Sequence, residues 1–343
     1  SDGWSRNIFT REFLDAYNGY RKGTSPALTP LRIQYKDYSA WQNSQLESAD
    51  IENQKKYWLE KLTGGIPVLD LPADKIRPSV QTYHGNTFGF SLSKEINYGL
   101  NNLCRENQIS LFMVLQALLK VLFHRYTGQN DIIIGSPVAG RVHRDLEDQI
   151  GFYVNTLVFR DTIESDSMFR EILNDVKQTC TDAFDNQDYP FDRLVEDLDV
   201  KRDLSRSPLF DVMLTLHNNE NDAVEFEGLE VSLYKTESFV SKYDMSFDIL
   251  ESETGLNINI QYNTDIYSEE RMSRMSGHFK TLVKSVLDNP ESRIKDLDIL
   301  PQEEKDRLLI DFNDTAKDFP EDKTFIHIFQ EQVEKTPDNI AVV

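Results

Sequence analysis

The sequence predicts a mixed α/β protein with two lobes, and two observations carry that prediction. First, a strand near residues 87–92, two helices and a second strand within DIIIGSPVAG follow one another, an alternation that indicates a mixed sheet covered by helices. Second, a chain of 343 residues is too long for one ordinary core, and its 39% hydrophobic content is enough to fill two. The prolines of GIPVLDLPADKIRPS place the expected boundary between the lobes near residue 78.

The composition limits the class of protein. The 58 acidic and 37 basic residues give a net charge of -21, which argues against nucleic acid or an anionic membrane as a partner. Cys104 and Cys180 are far apart and cannot build a disulfide framework, so we expect a cytoplasmic protein in a reducing compartment. The most apolar helix, residues 111–126, contains polar residues and is shorter than the roughly 20 apolar residues of a membrane span.

The residues before the boundary predict two helical segments. The polar turn SDGWS leads into an amphipathic helix, and YKDYSAWQ then opens a long polar helix that ends at Gly64 and Gly65. In the second helix, Trp41 and Trp58 are expected to be packing anchors rather than platforms for a ligand.

The residues after the boundary supply the sheet and its covering helices. Ser110 is a good N-cap and Gly128 a good stop for the apolar helix between them, which at ~1.5 Å per residue is roughly 25 Å long. Asp166 is the expected cap of a further amphipathic helix that ends at NQDYPFDRL. Strands are predicted in SPLFDVMLTL, EFEGLEVSLY, MSFDIL and LNINIQYN, followed by a last helix over residues 269–287.

Asn155 interrupts the strand of residues 152–159 where Val or Ile would pack better. Two explanations are open. Its amide bonds the backbone of a neighbouring loop, since buried amides are nearly always satisfied, or it lines a cleft.

The sequence lacks the motifs of several other chemistries. It has no Gly-x-x-x-x-Gly-Lys-Ser/Thr phosphate loop, no Gly-x-Ser-x-Gly elbow and no pair of histidines at zinc-binding spacing. Its six histidines have no carboxylate or cysteine companions at ligand spacing, so we expect no metal site. Ser136, between Gly135 and Pro137, is interpreted as a turn residue rather than a nucleophile.

Five segments carry a resemblance to a known family. IGFYVNTLVFR resembles the Ile-Gly-x-Phe-Val-Asn-Thr segment of the condensation domains of nonribosomal peptide synthetases, with Tyr153 in the slot that is usually Phe. SDGWS, YKDYSAWQ, NQDYPFDRLVEDL and RDLSRSPLFDVML match the same family in the right order. After about Leu300, FNDTAKDFP and TFIHIFQEQVEKTPDNIAVV resemble the linker into an adenylation domain and the first residues of that domain.

The resemblance implies a chloramphenicol-acetyltransferase-like fold, in which two α/β lobes form a V around a tunnel. Residues 1–78 would be the C-terminal part of the first lobe and residues 79–300 the second lobe. Residues 301–323 would be a linker and residues 324–343 the start of an adenylation domain.

The activity that the resemblance implies is amide-bond formation. The amine of a downstream aminoacyl thioester attacks an upstream acyl or peptidyl thioester, and both are carried on phosphopantetheine. The implied partners are the upstream and downstream peptidyl carrier domains and the adjacent adenylation domain, with no permanently bound cofactor and no metal.

The resemblance also assigns site residues. Asp2 and Gly3 match the end of a His-His-x-x-x-Asp-Gly motif, whose histidines would precede residue 1, so we expect residues 1–343 alone to be inactive. The motif aspartate is structural in the family and pairs with an arginine, for which Arg160 is the first candidate and Arg141 the second. Asn155 would face the tunnel. Tyr189 and Trp41 are expected to be structural or tunnel residues.

Three alternatives share parts of this pattern. An epimerisation domain has the same fold and motif but is not normally followed by an adenylation-like linker. A heterocyclisation domain replaces the histidines with an aspartate. A non-catalytic platform would only dock carrier domains.

Overall fold

The structure is a computed structural model that describes residues 1–26, 28–200, 203–217, 228–229, 240–318 and 322–340. The chain forms two compact units, Ser1–Ile299 and Leu300–Val343. Nearly all of the predicted strand EFEGLEVSLY lies outside the described residues.

Within the described residues, six strands form one open sheet in the order β1-β6-β5-β4-β2-β3. The neighbours β2, β4 and β5 run parallel, and the pairings of β1 with β6, β5 with β6 and β2 with β3 are antiparallel. The strands are β1 Gly85–Ser93, β2 Asp131–Val138, β3 Asn155–Thr162, β4 Val212–His217, β5 Met245–Ser252 and β6 Gly255–Asn263. The mixed α/β class predicted from the alternation of elements is therefore confirmed.

Helices precede the sheet, connect its strands and cover it. In the first unit they are α1 Gly3–Arg21, α2 Tyr35–Gln45, α3 Ala49–Lys61, α4 Lys94–Asn107, α5 Leu111–Thr127, α6 Phe169–Asp185, α7 Phe191–Asp197 and α8 Glu269–Asp288. In the second unit they are α9 Gln302–Leu309 and α10 Phe325–Lys335.

The central helix α5 has the predicted caps. The Ser110 side chain accepts a hydrogen bond from the Met113 amide, and Gly128 ends the helix with a left-handed φ of 70°. One polar residue of this helix, Lys120, is fully buried and pairs with Asp161, to which Thr179 also donates. Burial is the largest influence on Asp161 and opposes its ionisation, but the Lys120 charge and the hydrogen bonds from Lys120 and Thr179 together outweigh it and hold the pKa of that carboxyl below its usual range.

Three predictions of local structure are wrong. The long helix expected from Tyr35 is two helices, because Ser48 caps α3 by accepting from the Ile51 amide. Asp166 does not cap α6, which begins at Phe169; its carboxylate pairs instead with Lys295. Ser136 is a buried residue of β2 rather than part of a turn.

The hydrophobic core of the first unit extends across residue 78. Trp58, Leu62 and Leu69 belong to the same buried cluster as the apolar face of α5. The division into lobes at this point, and the assignment of residues 301–323 and 324–343, stay predictions. Among the described residues no single helix is long and apolar enough to cross a membrane; α4 and α5 pass that test only as a pair, bent by 105°.

Candidate active site

The start of α1 is attached to the segment before β3. Asp2 caps the helix that begins at Gly3: its Oδ1 accepts from the Ser5 amide at 2.9 Å and from the Ser5 hydroxyl at 2.7 Å. Its Oδ2 accepts from the Tyr153 amide at 3.0 Å, and its own amide donates to the Gly151 carbonyl at 3.1 Å. Asp2 therefore joins two segments that are distant in sequence.

Arg141 completes this junction. Its Nη2 lies 3.3 Å from Asp2 Oδ1 and donates to the Ser5 hydroxyl at 3.0 Å, and its guanidinium stacks 4.1 Å from the centre of the Tyr153 ring. The side chains of Arg141 and Asp2 are only 2% and 4% exposed. Burial opposes ionisation of Asp2, but the hydrogen bonds from Ser5 and Tyr153 and the Arg141 charge hold its pKa below the usual range.

A glycine lets the Arg141 segment approach closely. Gly140 has a φ of 63°, which side chains rarely adopt, and a Cβ at this position would overlap the Tyr153 carbonyl. The tight turn before Arg141 therefore requires glycine for two reasons, backbone conformation and space.

Arg160, the first candidate for the partner of Asp2, pairs elsewhere. Its Nε and Nη2 donate to the two carboxylate oxygens of Asp131 at 2.9 and 2.7 Å, and its Nη1 donates to the Thr63 carbonyl at 2.9 Å. The sheet register explains this, because Arg160 lies opposite Ile133 and Asp131 is the diagonal neighbour on the same face. The Arg160 prediction is wrong, and the second candidate, Arg141, is the residue that contacts Asp2.

Asn155 uses its amide to hold a loop. Its Nδ2 donates to the carbonyls of Gln187 and Tyr189, both at 2.8 Å, and its Oδ1 accepts from the Phe191 amide at 3.0 Å. Of the two explanations for this residue, bonding to a neighbouring loop backbone is confirmed. A place for Asn155 on a tunnel wall stays a prediction.

Gln54, from α3, also holds this loop, although nothing in the sequence had indicated that it would. Its Oε1 accepts from the amides of Asp188 and Tyr189, both at 3.1 Å. Trp58, one turn later, donates its indole N–H to the Asn186 carbonyl at 2.8 Å. We call residues 187–191 the corner; its backbone is fixed by side chains from β3 and α3.

Tyr189 is a buried anchor of the corner. Its hydroxyl donates to the Asp197 carboxylate, which also pairs with Lys55 at 3.0 Å, and burial raises the pKa of the tyrosine. Trp58 is buried as predicted, whereas Trp41 is 51% exposed, so the expectation that Trp41 is a packing anchor is wrong.

The described residues contain no cluster of His, Cys, Asp or Glu that could hold a metal ion. The structure brings the predicted site residues together in two groups: Asp2 and Gly3 with Arg141, and Asn155 with Tyr189. Arg160 pairs instead with Asp131, and the Trp41 ring lies 5.9 Å from that of Tyr38, centre to centre.

The open mixed sheet, with a capped helix attached just before β3, defines an α/β domain of the chloramphenicol-acetyltransferase-like type. Comparisons with known proteins give the family. Residues 1–309 match the model of the condensation domain, and the chain therefore belongs to the condensation domain family.

Curated relatives cover the whole chain. It is 42% identical over 344 aligned residues to gramicidin S synthase 2 of Brevibacillus brevis and 40% identical over 342 residues to bacitracin synthase 1 of Bacillus licheniformis. The chain spans only 8% and 6% of the length of these two proteins.

Solved structures share the fold. The X-domain from teicoplanin biosynthesis is 26% identical with a TM-score of 0.80, over 88% of this chain and 70% of that one. A four-domain nonribosomal peptide synthetase bound to AMP and glycine is 24% identical with a TM-score of 0.82, over 98% of this chain and 26% of that one.

Proposed function

We propose that this chain is the part of a nonribosomal peptide synthetase that forms amide bonds between two carrier-bound thioesters. The observation that carries the proposal is the anchoring of Asp2, because the end of the motif is fixed by Arg141, Ser5 and Tyr153. A histidine preceding Asp2 in the full-length polypeptide would thereby be held near the segment that leads to Asn155. Family membership and the synthetase relatives support the same reaction class.

The reaction needs little beyond positioning. The acceptor α-amine, with a pKa near ~7.7 to 8, is partly neutral at cellular pH and attacks the thioester carbonyl of the donor. The C–N bond forms, the C–S bond breaks, and the thiol stays on the donor arm while the amine loses a proton. Holding the two groups in attack geometry supplies roughly 7 to 11 kcal/mol in favourable cases. The described residues would act here as supports: Asp2 and Arg141 orient the motif, and Asn155 orients the corner.

The partners follow from this reaction. We propose upstream and downstream peptidyl carrier domains that deliver phosphopantetheine thioesters, and an adenylation domain in the same polypeptide that begins near residue 324. A solved relative of the same fold is a four-domain synthetase, which supports this arrangement. We place the protein in the cytoplasm, in accord with the free, buried thiols of Cys104 and Cys180.

A docking platform is the second candidate, and one observation favours it. The X-domain from teicoplanin biosynthesis, which shares this fold with a TM-score of 0.80, is known in a complex with OxyB. A domain of this architecture can therefore be found bound to a separate protein.

The test is condensation in the full-length protein with two loaded carrier domains, followed by intact mass. We expect a dipeptidyl product on the downstream carrier. Residues 1–343 alone are expected to give none, and replacing the second motif histidine of the full-length protein with Ala is expected to lower the rate ~10²- to 10⁴-fold with carrier binding unchanged. Carrier binding without product for any donor and acceptor pair would establish the docking platform instead.

A further inference from the structure

An aromatic cavity lies beside the corner. Its volume is about 480 Å³, inside the range of roughly 300 to 1,000 Å³ usual for small-molecule sites. Its lining includes Tyr83, Phe191, Leu209, Phe210, Val240 and Tyr243. These residues come from the segment before β1, the start of α7 and the segments that lead into β4 and β5.

The inner wall of the cavity is a row of three rings. The Phe210 ring is 5.9 Å from that of Phe191 and 5.3 Å from that of Tyr243, centre to centre. Phe210 lies against the bare backbone of β2, because a Cβ at Gly135 would overlap its ring. The wall is therefore aromatic and supported by the sheet, with its rings tilted by 54° and 30° to one another.

Backbone hydrogen bonds fix the walls in place. The Phe191 amide donates to Asn155 Oδ1 at 3.0 Å, and the Ser241 amide donates to the Tyr83 carbonyl at 2.9 Å. The Gln81 side chain donates to the Lys242 carbonyl at 3.0 Å. A cavity whose walls are held independently of any ligand is preorganised for binding.

The chemistry of the lining favours an apolar occupant. The most buried lining residues, Leu209 and Phe210, offer only hydrocarbon, and the Gln81 amide is already bonded to Ser207 and Lys242. Lys242, the ionisable cation among the lining residues, is exposed at the rim. An apolar group placed against Leu209 and Phe210 would therefore lose contact with water without leaving a polar group unpaired.

We propose that this cavity is a specificity subsite that takes the apolar side chain of a thioester-bound aminoacyl group. The inference rests on the proposed function. Hydrogen bonds link the cavity to the end of the motif, because the Tyr153 amide bonds Asp2 and Asn155, two residues later, bonds Phe191. One strand start thus supports both the end of the motif and a wall of the cavity.

A binding measurement tests the subsite without relying on catalysis. The probes are glycyl, leucyl and phenylalanyl pantetheine amides, in which nitrogen replaces the thioester sulfur so that no transfer takes place, titrated into the full-length protein. We expect leucyl and phenylalanyl probes to bind about tenfold or more tightly than glycyl. Phe191→Ala is expected to remove most of that preference, and Phe191→Leu to keep most of it.

The matched control is Phe184→Ala, the same change at a partly buried phenylalanine of α6 that packs on Phe112 and Phe159. It is expected to lower stability without altering the preference. Condensation assays then show whether the side chain in the cavity belongs to the acceptor or to the donor. In one series the acceptor amino acid is varied with a fixed donor, and in the other the donor is varied with a fixed acceptor. A preference unchanged by Phe191→Ala would overturn the subsite and leave the proposed function intact. If Phe191→Ala removed the preference but the full-length protein made no amide bond, the subsite would stand and the proposed function would be overturned.

Discussion

The Arg141 guanidinium meets the Asp2 carboxylate at 3.3 Å, and both side chains are almost wholly withdrawn from water. Removing one member of a buried ion pair leaves an uncompensated charge, which typically costs about 3 to 5 kcal/mol. We therefore expect Arg141→Ala to lower the free energy of unfolding by about that amount, as measured by urea denaturation.

Arg160→Ala is the control for this prediction. Its partner Asp131 is 39% exposed and keeps contact with water when Arg160 is removed, so we expect Arg160→Ala to cost less than Arg141→Ala. The pairing of Asp2 with Arg141 would be rejected as a source of stability if Arg141→Ala changed the free energy of unfolding by less than Arg160→Ala.

Asn155 allows a sharp comparison between two substitutions. Asn155→Ala leaves the Gln187 and Tyr189 carbonyls and the Phe191 amide without their partner, and a buried group left unpaired costs about 1 to 3 kcal/mol. Asn155→Asp keeps the acceptor for Phe191 but turns a carboxylate oxygen toward two carbonyls. We expect Asp to be at least as destabilising as Ala at pH 7 in urea unfolding. Recovery of stability in Asn155→Asp would contradict the donor role of the amide.

The two reasons for a glycine at position 140, its backbone conformation and the lack of space for a side chain, can be tested separately. Gly140→Ala adds a methyl group that overlaps the Tyr153 carbonyl, at a residue with a left-handed φ. Gly64 also has a left-handed φ, of 81°, but a methyl group added there would have no atom within 4 Å. Gly64→Ala should therefore lower the stability only by the cost of the left-handed conformation, about 1 to 2 kcal/mol. Thermal unfolding should show Gly140→Ala to be clearly the less stable of the two. Equal melting temperatures would mean that the backbone near residue 153 moves aside freely.

The buried carboxyl of Asp211 should make the stability of the protein depend on pH. Burial and the nearby Asp244 charge raise its pKa to about 6, although Arg206 contacts its carboxylate. A carboxyl with a raised pKa in the folded state stabilises that state below its unfolded pKa of about 3.9, and the contribution is lost as the pH rises through about 6. Unfolding free energies from pH 4 to 8 should therefore fall less steeply with pH in Asp211→Asn than in the unchanged protein. Parallel curves would show that Asp211 is ionised throughout this range.

The sequence predicted local features best. Ser110 and Gly128 were predictable because a cap depends on residues within one turn of the helix. The break at Ser48 was missed because the polar residues around it fit a continuous surface helix as well as two short ones.

The candidate site was predictable only in part. Gln54 bonds amides 134 and 135 residues away, and no periodicity or composition links such positions. The sequence placed Arg160 ahead of Arg141 as the partner of Asp2, and this order was wrong because the register of β2 with β3 brings Asp131 to Arg160. Side-chain partners across the fold depend on tertiary packing that a single sequence does not display.

The double attachment of Asp2 has a mechanical consequence. Its main-chain amide bonds the Gly151 carbonyl while its side chain bonds the Tyr153 amide, so α1 and the start of β3 are linked by a pair of bonds in parallel. A displacement of Asp2 would act on both bonds together and, through residues 153–155, on the hydrogen bonds that Asn155 makes to the corner. Asp2 therefore couples the position of the start of α1 to the residues that support a wall of the aromatic cavity.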